Sequence, residues 1–224
     1  CEEAHYHEAF DVTYTWEWMH ATQNFVQQKT DMYGLESLLL KYEHKFSSTA
    51  IRTYFTSNHD ENSWNGTEFE KYGGAAKALA VFNATWNGIP MLYSGQEMPN
   101  RKRLKFFDKD PIEWTGMYEL HDFYKTLLAL HKTHPALRAG DPEVTTHRVR
   151  TTNDQEIFSF IRKHEKGEVL VLLNLSANHH FPFSIQDNFV QGEFKEVFDG
   201  SRKDFTVDQF FSLPAWGYKV YARD

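Results

Sequence analysis

Along the first 140 residues the apolar positions follow two alternating periods. Phe10 to Trp16 (FDVTYTW) and Ala50 to Phe55 (AIRTYF) are rich in β-branched and aromatic residues, which predicts strands. Ile89 to Tyr93 predicts a third. Between them the period lengthens. Leu35, Leu38, Leu39 and Tyr42 share one helical face, and Ala75, Leu79, Phe82 and Trp86 recur at i, i+4, i+7 and i+11, which predicts a helix with a single buried stripe. Gly88-Ile89-Pro90 ends that helix. Leu120, Phe123, Leu127 and Leu130 mark another, closed by Pro135 and Gly140. Strand and helix in alternation predict parallel βα units, in an open doubly wound sheet or in part of a closed barrel.

The pattern changes near residues 134–142. Beyond them Glu156 to Arg162 (EIFSFIR) alternates, Val169 to Leu175 (VLVLLNL) is continuously apolar, and the stretch between them, with Gly167, predicts a hairpin loop. Phe181 to Ile185, Glu193 to Phe198, Phe210 to Leu213 and Gly217 to Arg223 predict further short strands, spaced as in an antiparallel β-sandwich. The division that follows is an α/β part over residues 1–137 and an all-β part over 138–224.

Composition narrows the function classes. An apolar fraction of 41%, with 16% aromatic residues, excludes a disordered chain. The formal charge of −7 comes with no basic stripe, so nucleic acid is not an expected partner. No run of about 18 apolar residues is present, so no membrane-spanning helix is expected. Cys1 is the only cysteine, which excludes a disulfide within the chain and a cysteine zinc cluster. The abundant rings suit carbohydrate, whose C–H faces pack on aromatic surfaces, although most rings fill cores.

Ser57-Asn58-His59-Asp60 directly follows the strand that ends at Phe55. In parallel α/β folds ligands collect at the C-terminal ends of strands. A histidine beside an aspartate there offers a donor and an acceptor to a polar ligand, while on pattern alone such a pair is more often a turn or a helix cap. Asn65-Gly66-Thr67 matches a glycosylation sequon, a frequent chance match. Arg101, Lys102 and Arg103 read as a solvated loop.

Four stretches in order carry a family resemblance. FTSNHDENSW, ending its strand in Asn-His-Asp, resembles the fourth conserved region of the α-amylase superfamily, glycoside hydrolase family 13. GIPMLYSGQE (88–97) is similar to the superfamily's strand-eight segment, RLKFFDKDPIEW (103–114) to the loop that follows it in many bacterial α-amylases, and HPALRAG (134–140) to the end of the last barrel helix. The closing AWGYKVYAR resembles the C-terminal β domain. The resemblance implies strands six to eight of a (β/α)8 barrel, and a retaining glycoside hydrolase acting on α-1,4-glucans such as starch and maltodextrins. A glucanotransferase, an oligo-1,6-glucosidase or a non-catalytic binding relative are the alternatives. By the same resemblance Asp60 is the carboxylate that stabilises the transition state. His59 donates to the same sugar, Asn58 belongs to the substrate-binding motif and supports its loop rather than the sugar, and Trp64 and Tyr93 are candidates for sugar contact.

Retaining hydrolysis needs two further carboxyl groups about 5–5.5 Å apart. The family's nucleophile motif does not occur in the sequence, and by the resemblance the acid/base glutamate falls immediately before Cys1, with Glu2 and Glu3 the nearest candidates should the spacing differ by a small gap. The expectation is therefore a catalytically incomplete C-terminal portion that needs the N-terminal half of the barrel as its partner. No cofactor or metal is expected in these residues; the calcium common in the superfamily is bound by the other half.

Overall fold

The computed structural model describes residues 3–224 and begins with three parallel strands. They are β1 (Val12–Tyr14), β2 (Ile51–Tyr54) and β3 (Ile89–Pro90), in the order β1-β2-β3, with Val12 beside Ile51 and Thr53 beside Ile89. Between β1 and β2 run α1 (Trp16–Val26) and α2 (Met32–Lys45). Asp31 caps α2 by accepting from the Gly34 amide, and the helix buries Met32, Leu35, Leu39 and Tyr42 on one side. Between β2 and β3 come the short α3 (His59–Trp64) and α4 (Glu68–Tyr72), then α5 (Ala76–Thr85). Gly88 lets β3 close on β2: a Cβ there would lie 2.3 Å from the Arg52 carbonyl oxygen. The third strand pairs over only two of the five residues expected for it: after Met91, whose amide still donates to the Tyr54 carbonyl (2.9 Å), the chain leaves the sheet for the long segment leading to α6 (His121–Thr133).

The stripe expected on α5 is too narrow. Ala76 and all of Ala78 to Thr85 are buried, since the helix is enclosed on both sides. Leu79 packs with Tyr72 and Ala75, while Phe82 stacks between Trp18 (4.4 Å) and Trp86 (5.0 Å) and meets Phe158 and Phe160 edge-on. Its alanines keep the helix thin enough for two layers to close over it.

The second layer is antiparallel. Strands β4 (Thr145–Val149), β5 (Ile157–His164), β6 (Gly167–Asn174), β8 (Glu193–Glu196), β9 (Arg202–Asp204) and β11 (Tyr218–Arg223) form a six-stranded sheet ordered β4-β5-β6-β11-β8-β9. β7 (His180–Ser184) and β10 (Phe210–Leu213) make a separate two-stranded sheet. The continuous apolar run of β6 now has its reason. Val169, Val171 and Leu173 face α5 and α6, while Leu170 and Leu172 face the core shared with Phe183, Phe194, Phe205 and Leu213. A strand covered on both faces keeps no polar side. β4 and β9 escaped the sequence reading because they are edge strands with mostly polar, incompletely buried positions.

Two histidines tie α6 to its surroundings in neutral form. His134 Nδ1 accepts from the Ala136 amide (3.2 Å) while Nε2 faces the Arg223 carbonyl (3.3 Å), and His131 Nδ1 meets the Ala84 carbonyl (2.9 Å). Burial, above all, holds both imidazoles below the ordinary 6.5. Their neutral forms therefore stabilise the fold above pH 6.5, and that contribution is lost as pH falls through the lowered folded values. The urea midpoint is expected to drop on going from pH 7 to about pH 5, with a shallower drop in His131→Asn/His134→Asn; an equal drop in both proteins would contradict this.

Candidate functional site

The residues singled out in the sequence gather where β2 ends. Phe55, Thr56 and Ser57 continue inward from the strand and are buried. Asn58 then caps α3: its backbone is extended, and its side-chain oxygen accepts from the Glu61 amide at 2.8 Å. Its polar group is thereby committed to holding the turn. His59 and Asp60 form the first turn of α3, past the C-terminal end of the middle strand, with side chains 71% and 43% exposed. Their nearest approach, His59 Nε2 to Asp60 Oδ1, is 3.6 Å. The pair is thus presented to solvent from a fixed backbone.

Behind it lies a buried polar layer that spacing alone did not reveal. Glu61 and Lys71 pair at 3.0 Å with side chains 5% and 1% exposed, and Asn65 donates to the other oxygen of Glu61. Glu68 accepts from Thr56 (2.8 Å) and Gln96 (2.6 Å). Burial pushes the Glu68 carboxyl up and the Lys71 ammonium down, the second against the pull of Glu61. Gln96, the middle residue of the Gly-Gln-Glu stretch, also accepts from the Tyr93 amide (2.6 Å) and so joins the end of β3 to the end of β2. Tyr93 is half-buried beside a cavity of about 10 Å³ that Ser57, Asn62, Glu68 and Gln96 also line. The one sequence signal for this layer was Thr67-x-x-Glu70, whose side chains and amides bond reciprocally in a capping box that starts α4.

A further anchor comes from Asn62, two residues past Asp60 and buried. It accepts from the Leu104 amide (2.8 Å) and donates to the Lys102 carbonyl (3.1 Å), stitching the loop after β3 onto α3. The basic cluster serves the same loop. Arg101 lies over Phe69, Lys102 pairs with Asp110 (2.6 Å) and Arg103 with Glu70 (3.0 Å). Trp64 is exposed and meets Phe106 and Phe107; Trp114 is exposed on the same segment.

Of the two glutamates considered for acid/base chemistry, Glu2 lies outside the described residues. Glu3 is exposed and pairs with Lys45 (3.3 Å), the last residue of α2. That is beside the turn entering β2, at the other end of the strand from Asp60, so the structure does not bring Glu3 and Asp60 together. Among the described residues no group of three or more His, Cys, Asp or Glu side chains is arranged to hold a metal ion, and no helix is long and apolar enough to cross a membrane.

No family model matches the chain. Alpha-amylase 2 of Dictyoglomus thermophilum is 26% identical over 176 residues, which cover 73% of this chain and 28% of that protein. A cyclomaltodextrin glucanotransferase of Bacillus sp. (strain 1011) is 28% identical over 166 residues, 70% of this chain and 21% of the relative. The crystal structure of a maltogenic alpha-amylase from Thermotoga neapolitana matches all of this chain and 53% of its own at a TM-score of 0.82, with 15% identity. The chain thus spans about a quarter of the length of these curated relatives and about half of that solved structure. The parallel strands, with Asn58-His59-Asp60 just past the end of the middle one, and the antiparallel sheet that follows thus belong to a chain similar in sequence to an alpha-amylase and a cyclomaltodextrin glucanotransferase, and similar in fold to a solved maltogenic alpha-amylase.

Proposed function

We propose that this chain supplies the transition-state-stabilising carboxylate, Asp60, of a retaining hydrolase of α-1,4-glucans. In this reading β1, β2 and β3 are strands six to eight of a (β/α)8 barrel. Residues 1–137 then belong to the catalytic domain and 138–224 to a C-terminal β domain. The observation that carries the reading is the position of Asp60 on the first turn of α3, just past the end of the central parallel strand, beside His59.

The chemistry follows from that position. Cleavage of a glycosidic bond builds positive charge at the anomeric carbon, and hydrogen bonds to ring hydroxyls strengthen as it develops. A carboxylate fixed by a capped helix accepts from those hydroxyls and favours the charge without reorganising. His59 donates to the same sugar. Trp64, exposed at the end of α3, and Tyr93, half-buried after β3, are the rings proposed to contact sugar. The nucleophile and acid/base belong to residues other than these, so residues 1–224 alone bind glucan without hydrolysing it, with the N-terminal half of the barrel as their partner. A glucanotransferase is the second reading, supported by the similarity to such an enzyme.

Titration of the chain with maltoheptaose tests the role of Asp60. A charged hydrogen bond contributes about 1.5–3 kcal/mol, so Asp60→Ala is expected to weaken binding roughly ten- to hundredfold. Asp60→Asn, which keeps the shape and loses the charge, should fall between. Equal affinity in all three proteins would remove Asp60 from the sugar site.

A further inference from the structure

Trp64 at the end of α3 and two phenylalanines on the loop after β3 are in mutual contact, and the reading above does not use them together. Trp64 approaches Phe106 at 5.1 Å and Phe107 at 5.9 Å, and the two phenylalanines meet edge-to-face at 5.0 Å. All three are open to solvent, 57%, 44% and 85% exposed. Isolated exposed rings need no explanation, whereas a contiguous cluster of them marks a surface that meets something.

The cluster is held in place. Asn62 grips the chain at Lys102 and Leu104, immediately before Phe106. Asp110 closes the loop from the other side, accepting from the Lys105 amide (3.0 Å) and pairing with Lys102 (2.6 Å). Arg103 binds Glu70 at the start of α4. The rings are therefore presented from a cross-linked segment, so little ordering would oppose binding. Position supplies the ligand class. Trp64 follows Asp60 by four residues on α3, so the two side chains lie on one helical face, one turn apart. A chain of sugars contacting Asp60 and running along that face reaches Trp64 next and the phenylalanines beyond it.

We propose that Trp64, Phe106 and Phe107 form an aromatic platform for an outlying glucosyl unit of the same α-glucan, with Phe106 and Phe107 selecting for chain length. The proposal rests on Asp60 contacting sugar. The sugar's apolar C–H faces pack on the rings while its hydroxyls stay in water. Asn62 acts as a positioning residue that sets where the platform stands relative to Asp60.

Calorimetric titration with maltotriose and maltoheptaose tests it in the full 224-residue chain. Both phenylalanine side chains reach solvent, so Phe106→Ser/Phe107→Ser should fold, with the thermal midpoint as the control. The expected result is roughly three- to tenfold weaker maltoheptaose binding in the double variant with maltotriose binding unchanged, while Asp60→Ala weakens both sugars. Unchanged maltoheptaose affinity in the double variant, with Asp60→Ala still weakened, overturns the platform and leaves the reading of Asp60 standing. An equal loss for both sugars overturns the outlying position. Failure of the unsubstituted chain to bind maltoheptaose overturns both.

Discussion

Arg162→Ala is expected to destabilise the protein by about 3 kcal/mol or more, because the arginine is the internal clamp between the α/β part and the β part. Its side chain is fully buried on β5, on the face that also carries Phe158 and Phe160. The guanidinium donates to the carbonyl oxygens of Ala136 (3.1 Å) and Arg138 (3.3 Å) and to the Thr146 hydroxyl (3.0 Å). Ala136 and Leu137 belong to the 3-10 turn by which the chain passes from α6 to the second sheet, and both are fully buried. Burial pushes the Arg162 pKa down to about 10, which still leaves it charged at neutral pH. Truncation to alanine removes the donors to two carbonyls and a hydroxyl, and opens a cavity as well. Arg162→Met separates the two effects, since it refills most of the volume and restores no donor. Urea denaturation should show both variants well below the unsubstituted protein, with Met the milder. A methionine variant as stable as arginine would mean that those acceptors find other donors.

That clamp was not legible in the sequence, and the reason is physical. Arg162 shares its side of β5 with Phe158 and Phe160, but a charged residue closing the run EIFSFIR reads as a strand end turned out to solvent. Only the presence of α6 and the 3-10 turn over that face turns it inward. The same blindness affected α5, where a helical period revealed one buried side and could not reveal the second layer. By contrast, the long apolar runs and the glycine- and proline-marked ends gave β2, α5, α6, β5 and β6 within a few residues, since there local preference and burial agree. At the site, His59 and Asp60 were legible as a motif following a strand. Their support was not. Glu61, Lys71, Glu68 and Gln96 read as ordinary surface residues of short helices and loops, and Asn62 gives no pattern at all. Contacts between residues ten to forty positions apart carry no periodic signature.

Lys71→Met is expected to cost about 3–5 kcal/mol in stability and to loosen the turn that carries His59 and Asp60. The Lys71 ammonium sits within 3.0 Å of Glu61 and reaches the Met19 sulfur at 4.0 Å, with Glu68 adding its charge nearby. Removing the ammonium leaves Glu61 charged, buried and without its cation. Glu61 immediately follows Asp60, and its amide is the one capped by Asn58, so any reorganisation to hydrate that carboxylate pulls on the turn that carries Asp60. Glu61→Gln with Lys71→Met replaces the pair by a neutral amide that still accepts from Asn65, and should recover a large part of the loss. The measurement is a double-mutant cycle in urea. For a domain of this size the single variant should also lower the thermal midpoint by about 10 °C or more. If Asp60 contacts sugar as proposed, maltoheptaose affinity should follow the same order, weakest in Lys71→Met and regained in part by the double variant, because the pair would then act on sugar only through the backbone beneath Asp60. A cycle with no coupling between the two positions would show that the buried ion pair does not support α3.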